Sequence, residues 1–305
     1  MTNPRRFQLA AAFLLAIVAV VLFQAQMHSP NAPPAPRISI PPGGLTVPMQ
    51  DMGGRPVIEL RLNGKGPYRF ILDTGASVSV VSTDLDSELS LPRSPGVHAA
   101  SSADGSAPAI VEINETRIGD AVLSGLIAAV MPLGKLLTGE NAPRGVISAA
   151  SFPGYLVTFD YPAKLITIAK GELKAPDSRS IFEYADSEII PKIPVSVAGH
   201  ETAVHIDTGS SFGLTLPARF LQELPLASPP RDAGTERTPG GKFAASMAAV
   251  RGYIEIGQYK LDIPEVRFSD VRPGNDPAVG NIGYEVLRTF VLTFDSKNRR
   301  IQLSR

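Results

Sequence analysis

The tripeptide Asp-Thr-Gly occurs twice in this 305-residue chain, at 73–75 and 207–209, and each copy follows a short apolar run. Further landmarks recur at nearly the same offset: Gly145 as Gly280, Phe159-Asp160 as Phe294-Asp295, and residues 156–160 as 291–295. A repeat this long indicates a duplicated domain and not a solenoid of short units. We therefore expect two similar halves, each of which contributes one aspartate to a facing pair.

The repeat divides the chain into five parts. These are an N-terminal membrane anchor or signal segment at 1–28, a Pro-rich tether at 29–42, an N-terminal lobe at 43–171, an inter-lobe linker at 172–188 and a C-terminal lobe at 189–305. The linker is assigned because its residues are polar and show no apolar period.

Short alternating runs separated by glycine and proline fill most of both lobes. The chain contains 27 Gly and 28 Pro, which is enough to end many strands in turns. Helical patterns are few and short, at 83–89 and 217–224. The predicted fold class is therefore all-β, with two homologous β lobes.

Composition excludes several classes of function. Lys plus Arg total 29 and Asp plus Glu total 29, so no overall positive charge points to a nucleic-acid partner. Cysteine is absent, which excludes disulfides, thiolate catalysis and Cys-ligated zinc. We expect no cofactor and no metal.

The N-terminus indicates a membrane location. Arg5 and Arg6 precede an apolar stretch at 9–23, and its flanking residues bring it near the ~20 that a spanning helix requires. No good small-x-small cleavage site follows, which favours an uncleaved anchor; a removed signal peptide is the alternative. Basic residues before the stretch favour a cytoplasmic N-terminus, with the body in the periplasm or outside the cell.

Two carboxyl groups at hydrogen-bonding distance can catalyse hydrolysis without a metal. One pKa is raised, so the pair shares a proton over a useful pH range. One member can deprotonate a water while the other protonates a carbonyl oxygen. Gly75 and Gly209 allow the backbone to approach these carboxyl groups, and the hydroxyls of Thr74 and Thr208 can tie the two turns together across the lobe interface.

These features resemble the pepsin-like and retropepsin-like aspartic proteases. The resemblance covers the chain after the tether and rests on the doubled Asp-Thr-Gly, the Gly-x-Ile-Gly-x-x-x-Leu segment at 280–287 and the repeated Phe-Asp strands. It implies a bilobal β fold with an active-site cleft, Asp73 and Asp207 as the catalytic pair, and peptide or protein substrates. It also implies a flap over the cleft, whose candidate tip is Asp104-Gly105. Because both aspartates lie in one chain, we expect a monomer.

The chain departs from the family pattern at three places. Ser148 stands where the repeat has Gly283, no Tyr lies between Ala99 and Gly119, and Ala76 and Ser210 differ after the two Asp-Thr-Gly copies. Ser148 supports an alternative function, a catalytically weak or inactive peptide-binding protein of the same fold. We also expect the Ser210 hydroxyl to donate to Asp207, which would make Asp207 the ionised partner.

Other motifs favour structural roles. The segment 209–213 fits Gly-x-Ser-x-Gly, but no histidine follows His205 to complete a serine triad. His200 and His205 are separated by five positions instead of the four of a zinc helix, and the alternation around them predicts a strand. Asp160 and Asp295 precede turns and are interpreted as turn formers.

Overall fold

The computed structural model describes residues 35–94, 107–135, 137, 139, 141–185, 190–238, 241–263, 265–270 and 279–305. The expected anchor or signal at 1–28, the first part of the tether and the candidate flap tip Asp104-Gly105 lie outside these ranges. Within the described ranges, no helix has the length and apolar character needed to cross a membrane.

Strands make up 52% of the structure and helices 9%, which confirms the all-β fold class. The strands are β1 (Arg37–Ser39), β2 (Leu45–Pro48), β3 (Gln50–Asp51), β4 (Pro56–Leu62), β5 (Lys65–Asp73), β6 (Ser79–Ser82), β7 (Ile110–Ile118), β8 (Ala121–Met131), β9 (Gly145–Ser148), β10 (Tyr155–Asp160), β11 (Leu165–Lys170), β12 (Ile181–Glu183), β13 (Lys192–Val197), β14 (His200–Ile206), β15 (Leu214–Leu216), β16 (Arg231–Thr238), β17 (Gly241–Ala248), β18 (Tyr253–Ile256), β19 (Tyr259–Asp262), β20 (Val266–Ser269), β21 (Gly280–Ile282), β22 (Val291–Asp295) and β23 (Arg300–Ser304). The helices are α1 (Thr83–Leu89), α2 (Phe220–Glu223) and α3 (Tyr284–Leu287), with short 3-10 turns at Leu133–Lys135 and Ala149–Ser151.

Helix α1 occupies the predicted residues 83–89 because its ends are specified locally. The Ser82 hydroxyl accepts a hydrogen bond from the Leu85 amide at 3.3 Å, and Ser90 adopts a left-handed conformation after the last turn. The second helical prediction, 217–224, is longer than α2, which covers only Phe220–Glu223.

Each lobe has its own large sheet, and the two sheets repeat one arrangement. In the N-terminal lobe the strand order is β1-β8-β6-β9-β5-β4-β3, and β7 pairs with β4 and β8. In the C-terminal lobe the order is β16-β17-β20-β15-β21-β14-β13-β18-β19. Strand β5 runs parallel to β9, and β14 runs parallel to β21. These equivalent pairs place the two Asp-Thr-Gly turns at equivalent ends of the two sheets.

A third sheet joins the lobes, with the order β12-β23-β22-β10-β11-β2. At its centre β10 of one half pairs antiparallel with β22 of the other, so that Thr158 lies opposite Thr293. Side chains alternate across this sheet, and Val157, Phe159 and Phe294 are buried in the main hydrophobic core. The sheet therefore fixes the two lobes against each other below the Asp-Thr-Gly turns.

Two segments expected to be irregular contribute strands. Within the tether, Arg37–Ser39 forms β1 and pairs with residues 122–124 of β8. Within the linker, Ile181–Glu183 forms β12 and pairs with β23, which buries Ile181 and Phe182. Both strands have three residues, too few for an alternating pattern to be recognised against their polar and proline-rich surroundings.

The repeated aspartates of the Phe-Asp strands form turns, as predicted, but with unequal contacts. Asp160 accepts one hydrogen bond, from the Ala163 amide at 2.8 Å. Asp295 is only 1% exposed and accepts three hydrogen bonds, from the Leu173 amide and from the amide and side chain of Asn298. Asp295 thereby ties the start of the inter-lobe segment to the β22–β23 turn.

Replacing Asp295 by Ala is expected to destabilise the protein by about 2–4 kcal/mol, because it leaves one buried and two partly buried donors without an acceptor. The equivalent Asp160→Ala substitution is expected to cost about 1 kcal/mol or less, since one bond near the surface is lost. Calorimetric unfolding of the full-length variants in detergent tests this order. Equal losses of stability in the two variants would contradict the conclusion that buried Asp295 ties the inter-lobe segment to the β22–β23 turn.

Candidate active site

The two Asp-Thr-Gly turns meet through a reciprocal network of threonine hydrogen bonds. The Thr74 hydroxyl donates to the Ile206 carbonyl at 2.7 Å and accepts from the Thr208 amide at 3.2 Å. The Thr208 hydroxyl donates to the Leu72 carbonyl at 3.0 Å and accepts from the Thr74 amide at 3.0 Å. Each hydroxyl thus satisfies one donor and one acceptor of the opposite lobe. The predicted tie between the turns is present.

Glycine is required after each threonine because the opposite carboxyl group occupies the space of a side chain. A Cβ at Gly75 would lie 2.5 Å from Asp207 Oδ1, and a Cβ at Gly209 would lie 2.5 Å from Asp73 Oδ2. Real Cβ atoms do not approach oxygen so closely. The close approach expected at these glycines is therefore part of the structure, and it brings the two carboxyl groups into contact.

Asp73 lies at the end of β5, is 1% exposed and is held by backbone donors from both lobes. Its Oδ1 accepts the Gly75 amide at 2.7 Å and the Gly209 amide at 3.1 Å. Burial raises the pKa of Asp73 well above its ordinary value, and the charge of Asp207 raises it further, against the opposing effect of the two amides. Burial and the neighbouring charge therefore favour the protonated form of Asp73 within a pair that titrates as a unit.

Asp207 follows β14, is 5% exposed and has a different environment. Burial raises its pKa too, but hydrogen bonds from the Asn281 amide and from Asp73 lower it, as do the Gly209 amide and the positive charge of Arg55. Asn281 Nδ2 lies 2.9 Å from Asp207 Oδ2. These groups favour the charged form of Asp207 and oppose the effect of its burial.

The donor to Asp207 is not the one expected from the sequence. Among the described residues, the Ser210 hydroxyl makes no hydrogen bond to Asp207, whereas Asn281 does. Ser210 instead joins the turn through its backbone, since its amide donates to the Asp207 carbonyl and its carbonyl accepts from Tyr284. The proposed role of the Ser210 side chain was therefore wrong, and the charge expected on Asp207 stays a prediction.

Arg55 is a further residue of the site that sequence reasoning missed. It precedes β4 in the N-terminal lobe, is 7% exposed, and its Nε donates to the Gly209 carbonyl at 3.0 Å in the other lobe. Its Nη2 lies 3.4 Å from the Ser211 hydroxyl. Burial lowers the pKa of Arg55, and the charges of Asp207 and Asp73 raise it. A lone arginine beside an apolar strand gives no sequence signal for this contact.

Ser148 fits the site without disturbing Asp73. Its hydroxyl donates to the Ala76 carbonyl at 2.5 Å and accepts from the Ala150 amide at 3.1 Å, where it begins a 3-10 turn. At the equivalent Gly283, a Cβ would meet the carbonyls of Ser210 and Phe212 at 2.6 Å. The Ser148–Gly283 difference thus reflects two local turn geometries, and it does not favour the inactive alternative.

The structure brings the predicted Asp73, Thr74, Gly75, Thr208 and Gly209 together in one buried site, with the Ser210 backbone at its margin. His200–Ile206 is a strand, as predicted, and not a zinc helix. Chemically, two buried carboxyl groups in contact, each with a raised pKa, can share one proton and so provide an acid and a base within one pair.

Residues 58–147, which contain the first Asp-Thr-Gly, match the family model described as aspartyl protease. This match over part of the chain supports an aspartyl protease family and is compatible with the pepsin-like and retropepsin-like superfamily. No curated protein matches the chain.

Proposed function

We propose that this chain is an aspartyl protease, an endopeptidase that hydrolyses peptide bonds with a water activated between Asp73 and Asp207. The observation that carries the proposal is the unequal environment of two carboxyl groups in contact: two backbone amides and a charged neighbour at Asp73, the Asn281 amide and the Arg55 charge at Asp207. One group is thereby suited to donate a proton and the other to accept one.

In the proposed reaction, Asp207 removes a proton from water as the water oxygen attacks the carbonyl carbon of the scissile bond. Asp73 donates its proton to the carbonyl oxygen, which yields a neutral tetrahedral diol. The carbon–nitrogen bond then breaks as the nitrogen takes the proton from Asp207, and a diol hydroxyl returns a proton to Asp73. The pair ends in its starting state, so neither a metal nor a covalent intermediate takes part.

The same proposal places the body of the protein outside the cytoplasm, held to a membrane by the apolar stretch at 9–23. It is motivated by the basic residues before that stretch and by the poor cleavage site after it. Membrane fractionation with N-terminal sequencing tests it. A soluble product that begins near Met27 would show instead that the segment is a removed signal.

The function is tested by incubating the full-length protein in detergent with a mixed protein substrate from pH 3 to pH 8. We expect new peptide termini, a bell-shaped pH profile, inhibition by a statine-containing peptide, and no effect of chelators or serine-directed inhibitors. The profile should fall at low pH as the pair takes up a second proton and at high pH as it loses its last one. An Asp73→Asn, Asp207→Asn double variant, prepared in parallel, is the control for contaminating protease activity. Binding of the statine peptide without any hydrolysis would support the inactive alternative.

A further inference from the structure

The two lobes present equivalent rows of side chains on the face of the sheet that carries the catalytic candidates. Residues two apart in a strand share a face, so Ile71 lies on the face of Asp73 and His205 on that of Asp207. The residues paired with these in the neighbouring strands extend each row across five strands. In the N-terminal lobe it is Val57, Ile71, Val146, Val80 and Ala129. In the C-terminal lobe the same positions are Lys192, His205, Asn281, Thr215 and Arg267.

The row of the N-terminal lobe is entirely apolar. Four of its members belong to a small hydrophobic cluster that is separate from the main core. Partly exposed Met52, Met131 and Leu137 pack against that cluster. The neighbourhood of Asp73 is thus suited to an apolar substrate side chain, because such a group would extend an existing apolar surface.

The row of the C-terminal lobe is entirely polar, and two of its polar atoms lack partners. Asn281 is 6% exposed and Thr215 is 9% exposed. Within the described residues, Asn281 Oδ1 and Thr215 Oγ1 make no hydrogen bond. The Asn281 amide nitrogen donates to Asp207 Oδ2 at 2.9 Å, so Asn281 Oδ1 is the atom that this contact leaves unused. One acceptor, Asn281 Oδ1, and one hydroxyl, that of Thr215, therefore lie in the row of Asp207 with no partner among the described residues.

We propose that this polar row is a specificity subsite that takes a carboxamide side chain, Gln or Asn, next to the scissile bond, while the apolar row takes an apolar residue on the other side. The inference rests on the proposed function, since it names the substrate class of the same site. A carboxamide can donate to Asn281 Oδ1 and accept from the Thr215 hydroxyl at once.

Other side chains fit this subsite less well. A carboxylate cannot donate to Asn281 Oδ1, and it would lie close to the carboxyl group of Asp207. Lys192 and Arg267 carry positive charge, but they stand at the two ends of the row and neither donates to Asn281 Oδ1. An apolar side chain would keep both polar atoms away from water without supplying a hydrogen bond, which is the arrangement that buried sites discriminate against most strongly. Among peptides that differ at one position, the one with Gln should therefore be preferred over those with Leu or Glu.

The test uses two peptide series with the full-length protein in detergent. In one, the scissile bond is replaced by a statine-type isostere and the dissociation constant is measured; in the other, the bond is cleavable and kcat/KM is measured. Each series varies a single flanking residue among Gln, Leu and Glu, first on one side of the bond and then on the other. We expect the Gln peptide to be favoured roughly tenfold or more on one side only, since an unmade bond to a buried polar group costs that much.

Thr215→Val introduces the residue found at the equivalent position, Val80, and should reduce the preference for Gln over Leu severalfold. Thr215→Ser keeps a hydroxyl at this position and should retain the preference. Thr116→Val is the matched control, because Thr116 is also buried without a hydrogen-bond partner in the described part of the chain but lies in β7, outside both rows. It should leave the preference unchanged.

The outcomes separate this inference from the proposed function. Preferential binding of the Gln isostere without cleavage of any peptide would support the subsite and overturn the peptidase. Cleavage with equal constants for Gln, Leu and Glu would support the peptidase and overturn the subsite. An equal change of preference in Thr116→Val and Thr215→Val would also overturn it, because the effect would then come from general destabilisation.

Discussion

Replacing either Asp73 or Asp207 by Asn is expected to lower kcat/KM by at least about a thousandfold, because each substitution removes the acid or the base of one proton-sharing pair. Asn keeps the size of the side chain, so both single variants should still bind a statine-containing peptide measurably. The Asp73→Asn, Asp207→Asn double variant should be no less active than the single variants, since residues that act as a unit lose their function together.

The matched control for these variants is Asp160→Asn. Asp160 is also part of the repeat and also ends a strand, but its contact in the structure is a single turn bond to Ala163. Its activity should remain within a few-fold of the parent protein. Full activity in either catalytic variant, with unfolding unchanged, would show that the pair does not perform the chemistry.

Replacing Thr74 or Thr208 by Val is expected to destabilise the protein by about 2–4 kcal/mol, because each hydroxyl satisfies one buried donor and one buried acceptor in the opposite lobe. Valine preserves the shape of threonine and removes only the hydroxyl. Calorimetric unfolding measures the loss, and Thr→Ser at either position should recover most of it. The loss in the double variant should differ from the sum of the single losses, since the two residues share partners.

A second threonine pair provides the control for this network. Thr158 and Thr293 are also repeat-related and also contact each other between the halves, with their hydroxyls 3.1 Å apart in the six-stranded sheet. They are only partly buried, so Thr158→Val should cost no more than about 1 kcal/mol. A loss at Thr158 as large as that at Thr74 would mean that the network at the turns has no special contribution.

The sequence predicted the parts of the site that depend on local backbone chemistry. Gly75 and Gly209 are identifiable because only glycine admits the opposite carboxyl group, and Thr74 and Thr208 follow from the same short motif. The repeat then predicted that the two halves would each contribute one aspartate to a facing pair. The bounds of α1 were predicted for a similar reason, since Ser82 and Ser90 define its ends.

The parts that the sequence did not reveal depend on contacts between distant residues. Arg55 lies before an apolar strand and reaches the site only because the lobes pack together. Asn281 contacts Asp207 only through the register of β14 with β21. The expectation for Ser210 failed because a hydroxyl three positions after an aspartate need not turn toward it. For Arg55 and Asn281, the decisive contact joins residues that are distant in the sequence.

The pairing of β10 with β22 gives the molecule the symmetry of a fused dimer. Thr158 faces Thr293, its own counterpart in the repeat, so an approximate twofold axis passes between these two strands. In a true dimer of one half, every substitution would be made twice, and Asp73 and Asp207 would remain chemically identical. In a single chain that constraint is absent, so Asn281 and Arg55 can give the two aspartates different environments.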